Sequence, residues 1–492
     1  MKRKFITNLI ILLSLNLLIK PFWILGIDRS VQNIVGAGDY GFYFAIFNFS
    51  FLFNILLDLG ITNFNNRNIA QNYHLLNKHF SKILTLKFLL SFIYILITLL
   101  TGLIIGYDEH QMRLLIILAF NQFLISLILY LRSNISGLHL FKTDSIISVL
   151  DRVIMIIFCS LLLWGNITHR PFTIDIFVYT QTAAYLITAI IALIIVIYKA
   201  KFIRLQWDMP FFIMIIKQSF PFAILVLLMT FYNRIDSVMI ERIISGRNGY
   251  EQAGIYASAY RLLDATNMIA YLFSVILLPL FSRMIKFKDD VENLAKLSFT
   301  LLFILSITIA SCSCFYSRNI MEILYPKHYD ETLIIFNNRI QQSSIIFSIL
   351  MFGFIPISTT YIFGTLLTAN GNLKQLNLVA AAGMVFNITL NLLLIPKFMA
   401  TGAALVSVLT QFISASIQVL IATKIFKFRT NKTYISKILI YTMLVVLTAY
   451  IYSLINISWI KSIILFIITA LLFAFIIRLV NIKALFNIIK KE

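Results

Sequence analysis

An all-α membrane protein with about fourteen transmembrane helices is the fold class that this sequence predicts, and three observations predict it. Of 492 residues, 60% are hydrophobic and only 12% are charged, about half the charged share of a soluble domain. The apolar residues fall into runs of about 20, the length that crosses a bilayer. The basic residues behind the net charge of +21 form no stripe for nucleic acid and sit in short connections. They obey a one-sided bias of the kind that orients membrane proteins.

Reading apolar runs between polar breaks places spans near 6–27, 41–64, 80–105, 112–131, 144–164, 172–198 and 212–240. The rest lie near 253–282, 295–317, 340–369, 375–396, 400–423, 435–456 and 459–479. The first run, "MKRKFITNLIILLSLNLLIK", imitates a signal peptide, but no small-residue cleavage site follows, so it reads as an uncleaved span. "NNRIQQSS" (337–344) interrupts the pattern before the tenth span. With the N-terminus inside, 26 of the 41 Lys and Arg lie on the cytoplasmic side, 9 outside and 6 within spans. The cytoplasmic set includes the N-terminal "MKRK" and, at the tail, Arg478, Lys483, Lys490 and Lys491. Both termini are therefore expected in the cytoplasm. Cys159, Cys312 and Cys314 are too few for a disulfide framework.

A faint internal repeat accompanies this pattern. Gly41-Phe-Tyr43 opens the second span and Gly254-Ile-Tyr256 the eighth, 213 residues later; "GLHLFK" (137–142) similarly resembles "NGNLK" (370–374). Repeat halves are typical of transporters, with substrate sites at the repeat interface. The expected organisation is two pseudo-symmetric six-helix lobes, 1–206 and 207–430, with two additional spans in 431–492.

Charges inside spans are expensive and usually face a bundle interior or a wet cavity. Lys20, Lys87, Arg152, Arg234, Arg261 and Arg339 stand against Asp58, Asp151, Asp236 and Asp264, with Glu241 at an outer edge. Lys87 and Arg339 read as snorkelling residues. Asp151 and Arg152 are adjacent and point to different faces. Arg234 and Asp236 are separated by about 200° around a helix, so they cannot pair on one face. Lys20, Arg234 and Arg261 fall at one depth on spans one, seven and eight, which suggests a basic belt around a shared cavity; structural ion pairing is the alternative. Lys20, Asp58 and Arg152 divide evenly between the two readings. Pro21, Pro210, Pro221, Pro279 and Pro356 serve as hinges or as static kinks.

"VGAGDYGFYFAIFNFSFLFNILLDLGITNFNNRNIAQ" (35–71), "NRIDSVMI" (233–240) with "AGIYASAYRLLDATNMIAYLFSVILLPLFSRM" (253–284), and "FNITLNLLLIPKFMATGAALVSVLTQ" (386–411) resemble segments of polysaccharide flippases in the multidrug/oligosaccharidyl-lipid/polysaccharide exporter superfamily. The likeness is best to the Wzx-type, lipid-linked oligosaccharide flippases and covers nearly all of the first 425 residues. It implies a MATE-like bundle with a cationic lumen. The implied activity moves an undecaprenyl-diphosphate-linked repeat unit of O-antigen in lipopolysaccharide, of capsule or of exopolysaccharide across the cell inner membrane. It also implies lumen roles for Arg234, Arg261, Lys20, Arg152 and Asn233, and makes Asp236, Asp264 and Asp58 candidates for coupling to H+ or Na+. The implied partners are the anionic lipid-linked oligosaccharide, membrane lipids and a polysaccharide polymerase. No catalytic residue, metal or cofactor is expected, and no P-loop is present. The alternatives are a peptidoglycan-precursor flippase, a drug/cation antiporter of the same superfamily, or a polytopic polymerase or glycosyltransferase.

Overall fold

In hydrocarbon every backbone N–H and C=O needs an internal partner, and a helix supplies them all within one segment. The computed structural model describes residues 14–62, 65–66, 69, 75–138, 140–165, 171–200, 204–244, 246–328, 331–429, 432–455 and 457–479, and these contain no strand. The start of the first span, "MKRK", Lys483, Lys490, Lys491 and the side chain of Pro221 lie outside them. The chain falls into two compact units, Met1–Ala257 and Ser258–Glu492.

In the first unit, residues 14–22 are helical and run into a π-helical turn, Trp23–Asp28, then into α1 (Arg29–Leu52). Pro21 has no N–H to give its preceding turn. The ladder shifts register beyond it, and Arg29 N–H donates to Ile24 O. The expected connection between spans one and two is thus helical except at Gly36 (φ 84°, ψ 167°), a conformation open to glycine because it lacks Cβ. The second span correspondingly begins and ends earlier than hydropathy places it. It gives way to a 3₁₀ turn at Asn54–Leu57 and then to left-handed Leu59 and Gly60.

There follow α2 (Leu75–Ile105), α3 (Glu109–Gly137), α4 (Phe141–Trp164), α5 (Ile174–Ala200), α6 (Met209–Ile244) and α7 (Gly246–Phe287), within which the two units divide. α3 starts on a capping box. Asp108 accepts from Gln111 N–H at 2.8 Å, and Gln111 Oε1 accepts from Asp108 N–H at 3.0 Å. α1 and the first turns of α7 touch backbone to backbone. A Cβ on Gly41 would overlap Tyr250 O, and one on Gly254 would overlap Ala37 O. Both partner pairs, 37 with 250 and 41 with 254, are 213 positions apart. The contact is reciprocal under that offset.

The second unit continues α7 and adds α8 (Glu292–Leu324), α9 (Leu333–Phe352), α10 (Phe354–Ala369), α11 (Leu373–Phe426), α12 (Lys432–Leu454) and α13 (Trp459–Ile476). The "NNRIQQSS" stretch does not interrupt anything; it lies inside α9, which Thr332 caps by accepting Ile335 N–H at 3.3 Å. At 54 residues α11 would be about 80 Å long, far more than one bilayer, and left-handed Met399 after Pro396 divides it. The C-terminal pair packs on α8 through i,i+4 stripes, Tyr441/Val445/Ala449 and Phe466/Ala470/Ala474 against Ile304 and Ile307. Alanines in both stripes let the backbones approach closely.

Among the described residues, eleven helical segments are long and apolar enough to cross a membrane. They carry expected spans three to fourteen, because α11 holds two of them. The molecule is an all-α, multi-pass membrane protein.

Candidate functional site

α6 shows how one helix can serve two environments. Asp236 and Ser237 are buried. Tyr256 Oη donates to Asp236 Oδ2 at 2.9 Å, and Asn48 Nδ2 donates to Ser237 Oγ at 2.9 Å. Those bonds lock one face of α6 to α1 and α7. Asn233 and Arg234 are half-buried, and the Arg234 guanidinium lies 5.5 Å from the centre of the Phe51 ring.

Arg152 on α4 occupies a second cationic position. Its guanidinium lies 5.5 Å from the Trp23 ring and 5.7 Å from the Tyr185 ring. Its Nε is also 3.5 Å from Asp151 Oδ2. The expectation that these neighbours diverge fails because the long arginine side chain folds back over its own helix. Lys20 stands within electrostatic range of Arg152, Asp151 and Arg132. The π-helical turn is what brings Trp23 here and buries Asp28, which accepts from Tyr40 Oη at 2.8 Å.

Between the two arginines runs a file of rings. Trp23 stacks on Phe177 (centroids 6.0 Å), which meets Tyr43 edge-on (5.4 Å). Tyr43 then leads to Phe47 (5.8 Å), and Phe47 to Phe51 (6.2 Å). Tyr43, Phe47 and Phe51 are four apart on α1 and so share one side. Phe47 and Phe51 are part-exposed beside Arg234. Sequence reasoning missed this file, although the i,i+4 spacing of aromatics signals it.

Other intramembrane charges are committed locally. Lys87 does not snorkel. It is 2% exposed and donates to Leu57 O and Ser126 Oγ, each at 3.0 Å, and to the carboxylate of Asp58. Asp58 in turn accepts from Thr62. The interruption of the helix at residues 58–60, next to a buried lysine, lets the ammonium cap otherwise orphaned carbonyls. Arg339 holds Glu331 with two bonds of 2.7 and 2.9 Å at the mouth of α9. Glu241 is buried and accepts from Gln111 Nε2 at 2.9 Å, joining α3 to α6. In the second unit Arg261 Nη1 is 3.9 Å from Asp264 Oδ2, both half-buried, the pairing that three-residue spacing allows. Among the described residues no cluster of His, Cys, Asp and Glu could hold a metal ion.

Residues 5–285 match the protein family described as "Polysaccharide biosynthesis protein". The chain belongs to that family. No curated protein sequence matches it. Solved structures place this polysaccharide biosynthesis protein in a known fold. It aligns with the lipid II flippase MurJ in an inward closed conformation at a TM-score of 0.64 and 16% identity, over 92% of this chain and 96% of that one. It aligns with an inward-facing multidrug resistance MATE family transporter of the MOP superfamily at 0.59 and 12%, over 85% and 98%. A MOP superfamily transporter from Pyrococcus furiosus, whose binding pocket is described as reversed in polarity, aligns at 0.59 and 11%, over 84% and 95%. At such identities the likeness is one of fold, MATE-like and MurJ-like.

Proposed function

We propose that the protein is a flippase that moves an undecaprenyl-diphosphate-linked oligosaccharide from the cytoplasmic to the periplasmic leaflet of the inner membrane by alternating access. The observation that carries the reading is the aromatic file of the first unit with a guanidinium beside each end. A diphosphate-sugar headgroup is anionic at one end and presents C–H faces of sugar rings at the other. Arginine forks bind phosphate oxygens two at a time and keep their charge when half-buried. Aromatic rings offer flat apolar surfaces for sugar faces without demanding a particular sugar. Membership of a polysaccharide biosynthesis family supports the substrate class. In this reading Arg234, Arg152, Asn233, Lys20 and Arg261 handle the headgroup. Energy from H+ or Na+ through Asp58, Asp236 or Asp264, and delivery to a polysaccharide polymerase, belong to the same proposal. The lobes are residues 1–206 and 207–430.

The test measures translocation of the lipid-linked repeat unit, together with surface polysaccharide, in Arg234→Ala and Arg152→Ala variants present at normal abundance. Each is expected to fall about 10- to 100-fold, the worth of a charged hydrogen bond. Arg234→Lys is expected to remain impaired because an ammonium lacks the fork. Full export by both alanine variants removes the reading, and efflux of cationic drugs by the wild type without export of repeat units favours an antiporter instead.

A further inference from the structure

Two adjoining spaces lie in the second unit, and none of the residues given a headgroup or coupling role above lines them. The larger, about 580 Å³, is walled by Phe299, Phe303, Ile355, Phe363, Phe412 and Val419, from α8, α10 and α11, and it reaches Tyr434 of α12. Its volume is that of a pocket for a whole small ligand, and its wall is almost wholly apolar. The smaller, about 270 Å³, shares Lys296 and Tyr434 with the first and adds Lys437, Arg478, Asn293 and Thr300. One is greasy, the other basic, and they meet at a single side chain pair.

That pair is held in place. Tyr434 Oη lies 2.7 Å from Thr300 Oγ1, and Lys296 Nζ sits 4.3 Å from the centre of the Tyr434 ring. Glu292, the carboxylate at the mouth of the greasy space, accepts from Arg429 N–H at 3.3 Å. Among the described residues no carboxylate lies within ion-pair distance of Lys296, Lys437 or Arg478. Asn293 and Thr433 sit in the first turns of α8 and α12, where backbone N–H groups lack helical partners and the helix dipole favours an anion.

Three cations converging on hydroxyls call for an anion. A contiguous apolar slot calls for hydrocarbon. Only an amphiphile meets both demands at once. We propose that these paired spaces bind one anionic glycerophospholipid, its phosphodiester among Lys296, Lys437 and Arg478 and an acyl chain in the slot bounded by α8, α10, α11 and α12. The small size of the basic space favours a single phosphate. What adjoins it is apolar, which suits a glycerol ester and leaves no wet room for a sugar chain. Lys296, Lys437 and Arg478 also all belong to the face that charge bias reads as cytoplasmic, where anionic lipid headgroups attract basic pockets between helices. Such a lipid would join the two C-terminal helices to α8, α10 and α11.

The test uses native mass spectrometry of the full chain in detergent, with phosphatidylglycerol or phosphatidylcholine of identical chains added. Wild type is expected to retain phosphatidylglycerol in preference to phosphatidylcholine. Lys437→Gln with Arg478→Gln is expected to lose affinity about 25-fold, about fivefold for each cation removed. Val419→Trp, which fills the slot, offers a second variant that leaves the charges intact and is expected to lower retention of the same lipid. Equal retention of the two lipids, or undiminished phosphatidylglycerol binding in both variants, overturns the proposal. Displacement of the phospholipid by a polyprenyl diphosphate at lower concentration overturns it too, because the spaces would then belong to the transported lipid.

Discussion

Lys87 shows what a single intramembrane charge costs and how it is retained. Its ammonium is sealed from solvent, so its stability depends on Asp58, Leu57 O and Ser126 together. Removing one member of a buried pair leaves the other charge stranded, at about 3–5 kcal/mol, whereas replacing both members with uncharged ones is often close to neutral. Lys87→Met is therefore expected to lower the thermal midpoint of the purified protein sharply, and Asp58→Asn added to it is expected to restore most of the loss. A double variant as unstable as the single one would mean that the bonds to Leu57 O and Ser126, not the pairing of charges, set the cost. From the sequence alone Lys87 resembled a snorkelling residue, because its partners lie 29 and 39 positions away. Depth along a span is legible in one dimension; the partner on another helix is not. The same holds for Arg152, whose Trp23 and Tyr185 contacts no local spacing announces.

At the scale of elements, α1 and the start of α7 approach backbone to backbone, where Gly41 and Gly254 each face a backbone carbonyl. Backbone cannot swing aside as a side chain can, so an added methyl must push the helices apart. Overpacking of this kind costs about 1–3 kcal/mol. Gly41→Ala and Gly254→Ala are each expected to lower the thermal midpoint by similar amounts, since the contact is reciprocal; a variant that melts like wild type would show that the helices can separate freely. Gly102→Ala meets only side-chain atoms and is expected to be milder. A second element-level device is the clamp at the head of α9. Burial would raise the Glu331 pKa, but the Arg339 hydrogen bonds and the His328 N–H outweigh it and hold the carboxyl below its ordinary value. A carboxylate so depressed contributes stability that is complete above the unfolded value, about 4.3, and is lost as pH falls through the folded one. The difference in thermal midpoint between wild type and Glu331→Gln is expected to shrink as pH falls below about 4.3. A difference that does not change with pH would place the clamp's contribution in packing alone. The Gly41 and Gly254 approaches lie at the two positions that the Gly-x-Tyr matches single out in the sequence. Helix limits were less legible: hydropathy marks where lipid begins, whereas α1 starts well before that, in polar residues, and stops at Leu52, ahead of the 3₁₀ turn at Asn54–Leu57.

For the whole molecule, the lipid itself made the fold legible. A bilayer forbids unpaired backbone, so apolar length alone selects helices, and their order follows from the polar breaks. The break that misled, "NNRIQQSS", is polar on a helix whose Ile340, Ser343 and Ser344 are buried; in a bundle, polar residues can face protein, and hydropathy does not separate that from a loop. Orientation is a separate matter, because helices of equal hydropathy insert either way up and only the basic residues choose. The distribution of 26 against 9 is large enough that inverting the protein would move 17 net basic residues across the membrane, and a single misplaced span would reverse the sign of every loop after it. Two exposed positions test both possibilities, Glu109 at the very start of α3 and Asp289 between α7 and α8. In a background lacking Cys159, Cys312 and Cys314, Glu109→Cys is expected to react with a membrane-impermeant maleimide in intact cells and Asp289→Cys only after permeabilisation. The two connections are separated by an odd number of spans in the fourteen-span order, so they must differ. Labelling of both from outside would show that a span between them has been miscounted, and the reverse pattern would mean that the charge bias does not orient this protein.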